Sequence, residues 1–156
     1  MDFSEKYIKM CEEAKEIQEG WKIKEGDTIA RVWWNRVWYR EVIGFASLTF
    51  GDTWCRVVPS TYEFPVNNLQ PAEGYKDFIW LPRQDQLQEM IFPGVPAFLI
   101  QNTFTKWCQE NYQYAQEFLT MEQLWLAFVM WKKYGKVWNE EKEEWMNLHE
   151  KNRGDG

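Results

Sequence analysis

Arginine and tryptophan recur at a fixed spacing in three short stretches, and these residues have the chemistry to bind an anionic, aromatic ligand. The stretches 28–34, 37–43 and 53–58 alternate in hydropathy and are predicted to be strands. Residues two apart on a strand share a face, so each strand is expected to present one arginine beside one tryptophan. The candidate ligand-binding residues are Arg31, Trp33, Trp38, Arg40, Trp54 and Arg56.

This pattern has two physical interpretations. In the structural one, the indoles pack beneath helices and the arginines lie over them as cation–π partners, each worth roughly 0.5–2 kcal/mol. In the binding one, a base stacks on an indole for about 1–3 kcal/mol while arginine binds phosphate through two hydrogen bonds. A register error of one residue would exchange the two faces of a strand, so the sequence leaves both interpretations open.

Catalysis is not favoured by the remaining residues. The single histidine, His149, lies in a charged C-terminal stretch without the orienting carboxylate and nucleophile that a general base needs. No GxSxG, GxxxxGK[ST], GxGxxG or HExxH pattern occurs. The three cysteines contain no CxxC, which argues against a zinc site or a redox pair. We predict a protein that is not an enzyme and that uses no cofactor and no metal.

Charge and composition narrow the class of partner. The chain has 156 residues, 11 of them tryptophan, and a net charge of −6, whereas a duplex-DNA-binding protein normally shows a basic excess. Duplex DNA is therefore not an expected partner. The N-terminus lacks the features of a signal peptide, and no apolar stretch approaches the roughly 20 residues of a membrane span. We expect a cytoplasmic protein with no membrane partner.

The first half of the chain is predicted to contain one helix and a β unit. A helix over 4–19 would be capped by Ser4 and ended by Gly20 in the left-handed conformation. The first two strands would be joined by a tight turn at Asn35–Arg36, and a turn at Gly51–Asp52 would precede the third. Residues 59–77 suit an irregular connection with one short edge strand. We expect a small SH3-like barrel or a strongly bent antiparallel sheet.

The second half is predicted to be helical. Pro82 would begin one helix, and an aromatic stripe from Phe104 to Leu119 marks the next. The sequence from Thr120 to Gln123 is a capping box that opens a helix to about Tyr134, apolar on all sides and therefore central, with Gly135 ending it.

The predicted fold class is therefore α+β. Its three parts are an N-terminal helix (1–20), a β unit (21–77) and a helical unit (78–156), packed as one body.

Residues 80–91 (WLPRQDQLQEMI), and 120–130 (TMEQLWLAFVM) followed by 136–139 (KVWN), resemble two blocks of small uncharacterised proteins from phages and prophages of Gram-positive bacteria. Those proteins share the same order of an N-terminal helix, a variable β segment and the two blocks. The resemblance implies a phage accessory protein and brings no activity with it. Such proteins often follow Val-Trp-Asn with a glycine that makes a hairpin. Here Asn139 is followed by a charged run, which predicts a helix continuing to about His149.

Three functions remain open at this point. The leading hypothesis is counter-defence, in which the Arg/Trp face sequesters a nucleotide-like signal or a short single-stranded nucleic acid. The second is a protein–protein inhibitor of a host defence or nucleic-acid enzyme. It would bind through an acidic helix at 139–150 or through exposed Trp138 and Trp145, because tryptophan is enriched at interface hot spots. The third is a structural or replication accessory protein that forms a homo-oligomer without a pocket.

Overall fold

The computed structural model describes residues 1–21, 27–33, 37–47, 53–59 and 78–149. Helices and antiparallel strands occur together, which confirms the predicted α+β class. The chain divides into two compact units, a helical unit made of Met1–Ala14 with Pro82–Gly156, and a sheet unit made of Lys15–Leu81. The three-part division at residues 20 and 77, and its packing as one body, stay predictions.

The predicted N-terminal helix forms as two pieces, α1 (Glu5–Glu13) and α2 (Lys15–Gly20). The Ser4 hydroxyl accepts a hydrogen bond from the Tyr7 amide at 3.2 Å, which confirms the predicted cap. Ala14 separates the pieces because its backbone (φ −78°, ψ 64°) leaves the helical region. Gly20 is the last residue of α2 but has no positive φ, so the predicted left-handed termination is wrong.

The sheet unit contains a four-stranded antiparallel sheet in the order β3-β2-β1-β4. Its strands are β1 (Thr28–Trp33), β2 (Val37–Ser47), β3 (Thr53–Pro59) and β4 (Phe78–Leu81). The three predicted strands are confirmed, with β2 running past its predicted end. The predicted turns at 35–36 and 51–52, and nearly all of the connection 59–77, lie outside the described residues.

Between Pro82 and the central helix, the helical unit contains α3 (Gln84–Ile91), α4 (Ala97–Glu110) and α5 (Tyr112–Ala115). Helix α3 begins after Pro82 rather than at it, because Arg83 is the N-cap and its amide donates to the Gln86 side chain at 2.9 Å.

Helix α6 (Met121–Tyr134) is the buried centre of the helical unit, as predicted. The Thr120 hydroxyl accepts from the Gln123 amide at 3.2 Å, and Gly135 ends the helix with φ 64°. Its buried residues are Gln123, Trp125, Leu126, Ala127, Phe128, Val129 and Met130.

The C-terminal region is a hairpin, so the predicted helix over 139–149 is wrong. Strand β5 (Lys136–Asn139) pairs with β6 (Glu144–Asn147) in antiparallel register. The charged run between them forms the turn. The Asn139 side chain accepts a hydrogen bond from the Lys142 amide at 2.9 Å, and Glu143 takes the left-handed conformation at φ 51°. The turn therefore forms without the glycine that such turns commonly contain.

Candidate functional site

The backbone register of the sheet divides the six predicted ligand-binding residues into two groups. Residues paired directly across antiparallel strands share a face, whereas successive residues of one strand alternate between faces. Four of the six occupy one set of positions and two occupy the other. The pairs are Ala30↔Arg40, Val32↔Trp38, Gly44↔Arg56 and Ala46↔Trp54 for the first set, and Arg31↔Tyr39 and Trp33↔Val37 for the second. The six residues do not make up a single face, and their ligand-binding role stays a prediction.

The four residues of the first set follow one another in the order Trp38, Arg40, Arg56, Trp54, and we call them the Trp–Arg row. Trp38 and Arg40 are on β2, whereas Arg56 and Trp54 are on β3 opposite Gly44 and Ala46. The positions of all four can therefore be measured along the length of β2. At about 3.4 Å per residue, each tryptophan is roughly 7 Å from its neighbouring arginine. On the same scale, the two arginines are roughly 14 Å apart and the row is roughly 27 Å long.

The two sets also differ in charge. Glu41 is the only acidic residue of β1, β2 and β3, and it pairs with Ile29 and Pro59, which are positions of the second set. Arg31 therefore shares its set with an acid. On these three strands, the Trp–Arg row contains two arginines with no acidic residue at an equivalent position. This is the more favourable arrangement for a bound anion.

At the edge strand, a stacked indole pair joins α2 to the sheet. The rings of Trp21 and Trp80 are parallel within 6°, with centroids 5.6 Å apart, and the Trp21 indole N–H donates to Asp27 at 2.8 Å. The Gln18 side-chain amide makes two hydrogen bonds with the backbone of Trp80. It accepts from the backbone N–H at 2.9 Å and donates to the backbone carbonyl at 3.0 Å. Sequence analysis did not predict the role of Gln18, because a single glutamine in a predicted helix gives no signal of such a contact.

Trp138 and Trp145 are buried in the hairpin, with only 3% and 8% of their surface exposed. They face each other across β5 and β6 with ring centroids 5.2 Å apart. The Trp145 indole N–H donates to the Met10 carbonyl at 2.9 Å, and the Tyr114 hydroxyl accepts from the Trp138 amide at 2.7 Å. The expected exposure, on which their partner-binding role rested, is therefore wrong.

Trp107 and Trp125 belong to an aromatic core in the helical unit. Phe104 stacks on Trp125 with centroids 3.9 Å apart and planes within 7°, and Trp107 lies 4.9 Å from Phe128. Trp107 and Trp125 are buried, and among the described residues neither indole N–H has a hydrogen-bond partner. Trp131 is only partly buried and borders this cluster at 5.9 Å from Trp107. These indoles stabilise the fold through packing.

A polar cluster around Asp2 ties the N-terminal segment to the start of α6. The Asp2 carboxylate accepts from the Thr120 hydroxyl at 2.5 Å, from the Gln123 side-chain amide at 2.8 Å and from the Ser4 amide at 2.8 Å. Burial alone would raise the pKa of the Asp2 carboxyl, but these hydrogen bonds together hold it below its ordinary value. Sequence analysis did not predict this cluster, because Asp2 and Ser4 are more than 100 residues away from Thr120 and Gln123.

Nucleophile and metal chemistry find little support in the part of the chain that the structure describes. His149 is exposed, and no cluster of three potential metal ligands occurs among these residues. Burial raises the pKa of the Cys11 thiol and of the Cys108 thiol, which disfavours the reactive thiolate. Cys55 lies on β3, at the position opposite Phe45.

Exposed apolar side chains cluster on the first half of α4. Phe98 is 65% exposed, and its neighbours Leu99 and Val95 are also exposed. Residues 90–105 contain no charged side chain. Over the described ranges, no helix is long and apolar enough to cross a membrane.

No family model, no curated protein and no solved structure matches this chain.

Proposed function

We propose that this chain is a non-enzymatic phage accessory protein that binds and sequesters a nucleotide-like anion in the cytoplasm of the host cell. The ligand would be a signal molecule or a short single-stranded nucleic acid. The observation that carries the proposal is the register of β2 and β3, which gives the Trp–Arg row equivalent positions on adjacent strands. The phage context is supported by the resemblance of residues 80–91 and 120–130.

The chemistry of the row suits a ligand that has both bases and phosphates. Stacking of a base on an indole is worth about 1–3 kcal/mol, and a charge-assisted hydrogen bond to arginine about 1.5–3 kcal/mol. Two of each give roughly 5–12 kcal/mol before the cost of association, and only the upper end of this range leaves about micromolar affinity once the smallest such cost, about 4 kcal/mol, is subtracted. A sequestering protein would therefore need the whole row.

The test is a binding screen with the full-length chain. Linear and cyclic nucleotides and short oligonucleotides are titrated while indole fluorescence and thermal shift are followed together. We expect a saturable quench with a rise in Tm for at least one ligand, both abolished in Arg40→Ala and Trp54→Ala. Arg31→Ala is the matched control, because it removes the same residue type from the other set of positions. No response to any nucleotide would overturn the proposal.

A second candidate function is inhibition of a host protein, and the exposed apolar residues of α4 favour it. Here a protein partner with an apolar surface would cover Phe98 and Leu99. The contact surface differs from the one expected from the sequence, since the acidic 139–149 segment is a hairpin with buried tryptophans. In this case Phe98→Ser would abolish biological activity while the variants of the Trp–Arg row would keep it.

A further inference from the structure

We infer that one end of the helical unit is a docking surface for an amphipathic segment of another protein, in which apolar side chains are flanked by basic ones. The inference uses no residue of the Trp–Arg row and goes beyond the binding of a nucleotide. It rests on the second candidate function and names the chemistry of its protein partner.

Helices α4 and α6 run in broadly the same direction through the aromatic core. The ring centroid of Phe104 lies 3.9 Å from that of Trp125 and 5.4 Å from that of Phe128. One turn later on α4, the ring centroid of Trp107 lies 4.9 Å from that of Phe128 and 5.9 Å from that of Trp131. Successive turns of α4 therefore contact successive turns of α6. The first turns of the two helices lie at the same end of the helical unit.

Large exposed apolar side chains are concentrated at this end. Phe98 in the first turn of α4 is 65% exposed, and Leu119, just before α6, is 88% exposed. The N-terminal amine of Met1 pairs with Glu122 at 3.2 Å, which places Met1 beside the first turn of α6. We define the apolar end by its six exposed residues, which are Met1, Val95, Phe98, Leu99, Leu119 and Met121.

The composition of the apolar end suits it to cover apolar side chains of a partner. Soluble monomers rarely expose large apolar side chains as a group, and such groups mark interaction sites. Residues 90–105 contain no charged side chain that would have to lose water on binding. Met1 and Met121 have flexible, polarizable side chains that adapt to irregular partner surfaces. An amphipathic helix, which presents several apolar side chains on one face, fits such a surface.

The basic residues of the helical unit are mostly far from the apolar end. The unit contains ten basic and fifteen acidic residues, which gives a net charge of −5. Lys132 and Lys133 are in the last turn of α6, and Lys136 follows it. Lys133 lies roughly 18 Å along the helix from Met121, farther than the screening length of about 8–10 Å.

Two exposed carboxylates lie near the apolar end. Glu117 precedes Leu119 by two residues, and Glu5 begins α1, which is tied to α6 through the hydrogen bond from Gln123 to Ser4 at 3.1 Å. Over the described ranges, neither carboxylate forms an ion pair.

The basic side chain nearest to these carboxylates is already paired. The Lys6 ammonium donates to the Glu117 carbonyl at 2.8 Å and pairs with the Glu140 carboxylate at 2.8 Å. The potential around the apolar end is therefore negative, which favours a partner whose apolar residues are flanked by lysine or arginine. A second copy of this chain or an anionic lipid surface would bring like charges together.

The experiment titrates the full chain with three synthetic peptides of about 18 residues, which is five helical turns. The first is an amphipathic helix with leucine on one face and lysine on the other. The second has glutamate in place of lysine, and the third has serine in place of leucine. Fluorescence anisotropy of a dye on each peptide gives its Kd at physiological salt. We expect the leucine–lysine peptide to bind one per chain, at least tenfold more tightly than either of the others.

Variants of exposed residues give the second readout. Phe98→Ser and Leu119→Ser should each weaken binding of the leucine–lysine peptide by at least fivefold. Tyr112→Ser is the matched control, because Tyr112 is also 65% exposed but begins α5, after the last turn of α4. It should change the Kd by less than twofold. Far-UV circular dichroism of each variant verifies that the fold is retained.

Two results with the peptides would overturn the inference. If the leucine–lysine peptide fails to bind, or binds Phe98→Ser and Leu119→Ser as tightly as wild type, the apolar end does not dock it. If the leucine–glutamate peptide binds more tightly, with the loss in Phe98→Ser, the charge of the partner is wrong but the second candidate function stands. Variants of the Trp–Arg row should bind the peptide as wild type does, so neither result bears on the nucleotide proposal.

Two further measurements test the other occupants. Size-exclusion chromatography with light scattering would assign the apolar end to a second copy if wild type is a dimer and Phe98→Ser is a monomer. Co-sedimentation with phosphatidylglycerol vesicles, lost in Phe98→Ser, would assign it to a lipid surface. Either result would overturn the inference. A wild-type monomer that does not sediment with the vesicles supports it.

Discussion

Four tryptophans of the helical unit and the two tryptophans of the Trp–Arg row have different residue types beside them. In the helical unit, Trp107, Trp125, Trp138 and Trp145 are all buried, and each contacts another aromatic ring. On the sheet, Trp38 and Trp54 share their set of positions with two arginines. A high tryptophan content therefore does not by itself indicate a binding surface; what distinguishes the Trp–Arg row is the pair of arginines at positions equivalent to its two tryptophans.

The two units also differ in net charge. The sheet unit has a net charge of −1, so the helical unit carries the remaining −5. The overall net charge of −6 is a sum to which the sheet unit, which contains the Trp–Arg row, contributes only −1. For this reason, the acidity of the whole chain is a weak argument against an anionic ligand on the sheet.

The largest expected effect tests whether the two classes of tryptophan really differ. Trp125→Ala removes a fully buried indole that stacks on Phe104 and should lower the free energy of unfolding by about 3–5 kcal/mol. Trp54→Ala should cost less than about 1 kcal/mol and should abolish ligand binding instead. Urea denaturation followed by circular dichroism measures both. Equal losses of stability would place Trp54 in a core and remove the distinction.

The next effect concerns how the helical unit is tied together. Asp2→Ala removes the carboxylate that accepts three hydrogen bonds, two of them from residues at the start of α6. It should lower the free energy of unfolding by about 1–3 kcal/mol. The folded-state pKa of Asp2 lies below its unfolded value, so its stabilisation is complete above about pH 4 and is lost as pH falls through the folded pKa. The difference in stability between wild type and Asp2→Ala should therefore shrink on acidification. A constant difference from pH 7 to pH 2 would contradict this assignment.

The smallest effect compares one glycine from each unit. Gly135 has φ 64°, and a Cβ placed there meets no atom of the described residues within 4 Å, so Gly135→Ala should cost roughly 1–2 kcal/mol through backbone strain alone. Gly20 has equal space and no positive φ, so Gly20→Ala should be neutral or stabilising by up to about 1 kcal/mol. Thermal unfolding of the two variants gives the comparison, and a loss at Gly20 as large as that at Gly135 would refute it.

Elements with local signals could be predicted from the sequence, and those that depend on distant contacts could not. Helix α6 was predicted closely because its cap at Thr120 and its stop at Gly135 are both encoded within one turn of its ends. The hairpin was missed because its turn uses Asn139 and Glu143 inside a run of charges that is typical of a helix.

The candidate site shows the same limit. The strands could be recognised from their alternation, but the face on which Arg31 lies relative to Arg40 depends on the register, and a shift of one residue reverses it. The turn that would set this register carries no glycine at Arg36, so its geometry could not be read from residue types. The division of six candidate residues into four and two could be learned only from the strand pairing.

Gln18 has a consequence for how the protein behaves at high concentration. Strand β4 lies at the edge of the sheet, and an edge strand normally offers its unpaired amides and carbonyls to any extended chain nearby. The side-chain amide of Gln18 already occupies both backbone groups of Trp80, as a neighbouring strand would. It thereby closes this edge to a further strand at that residue and guards it against aggregation between copies.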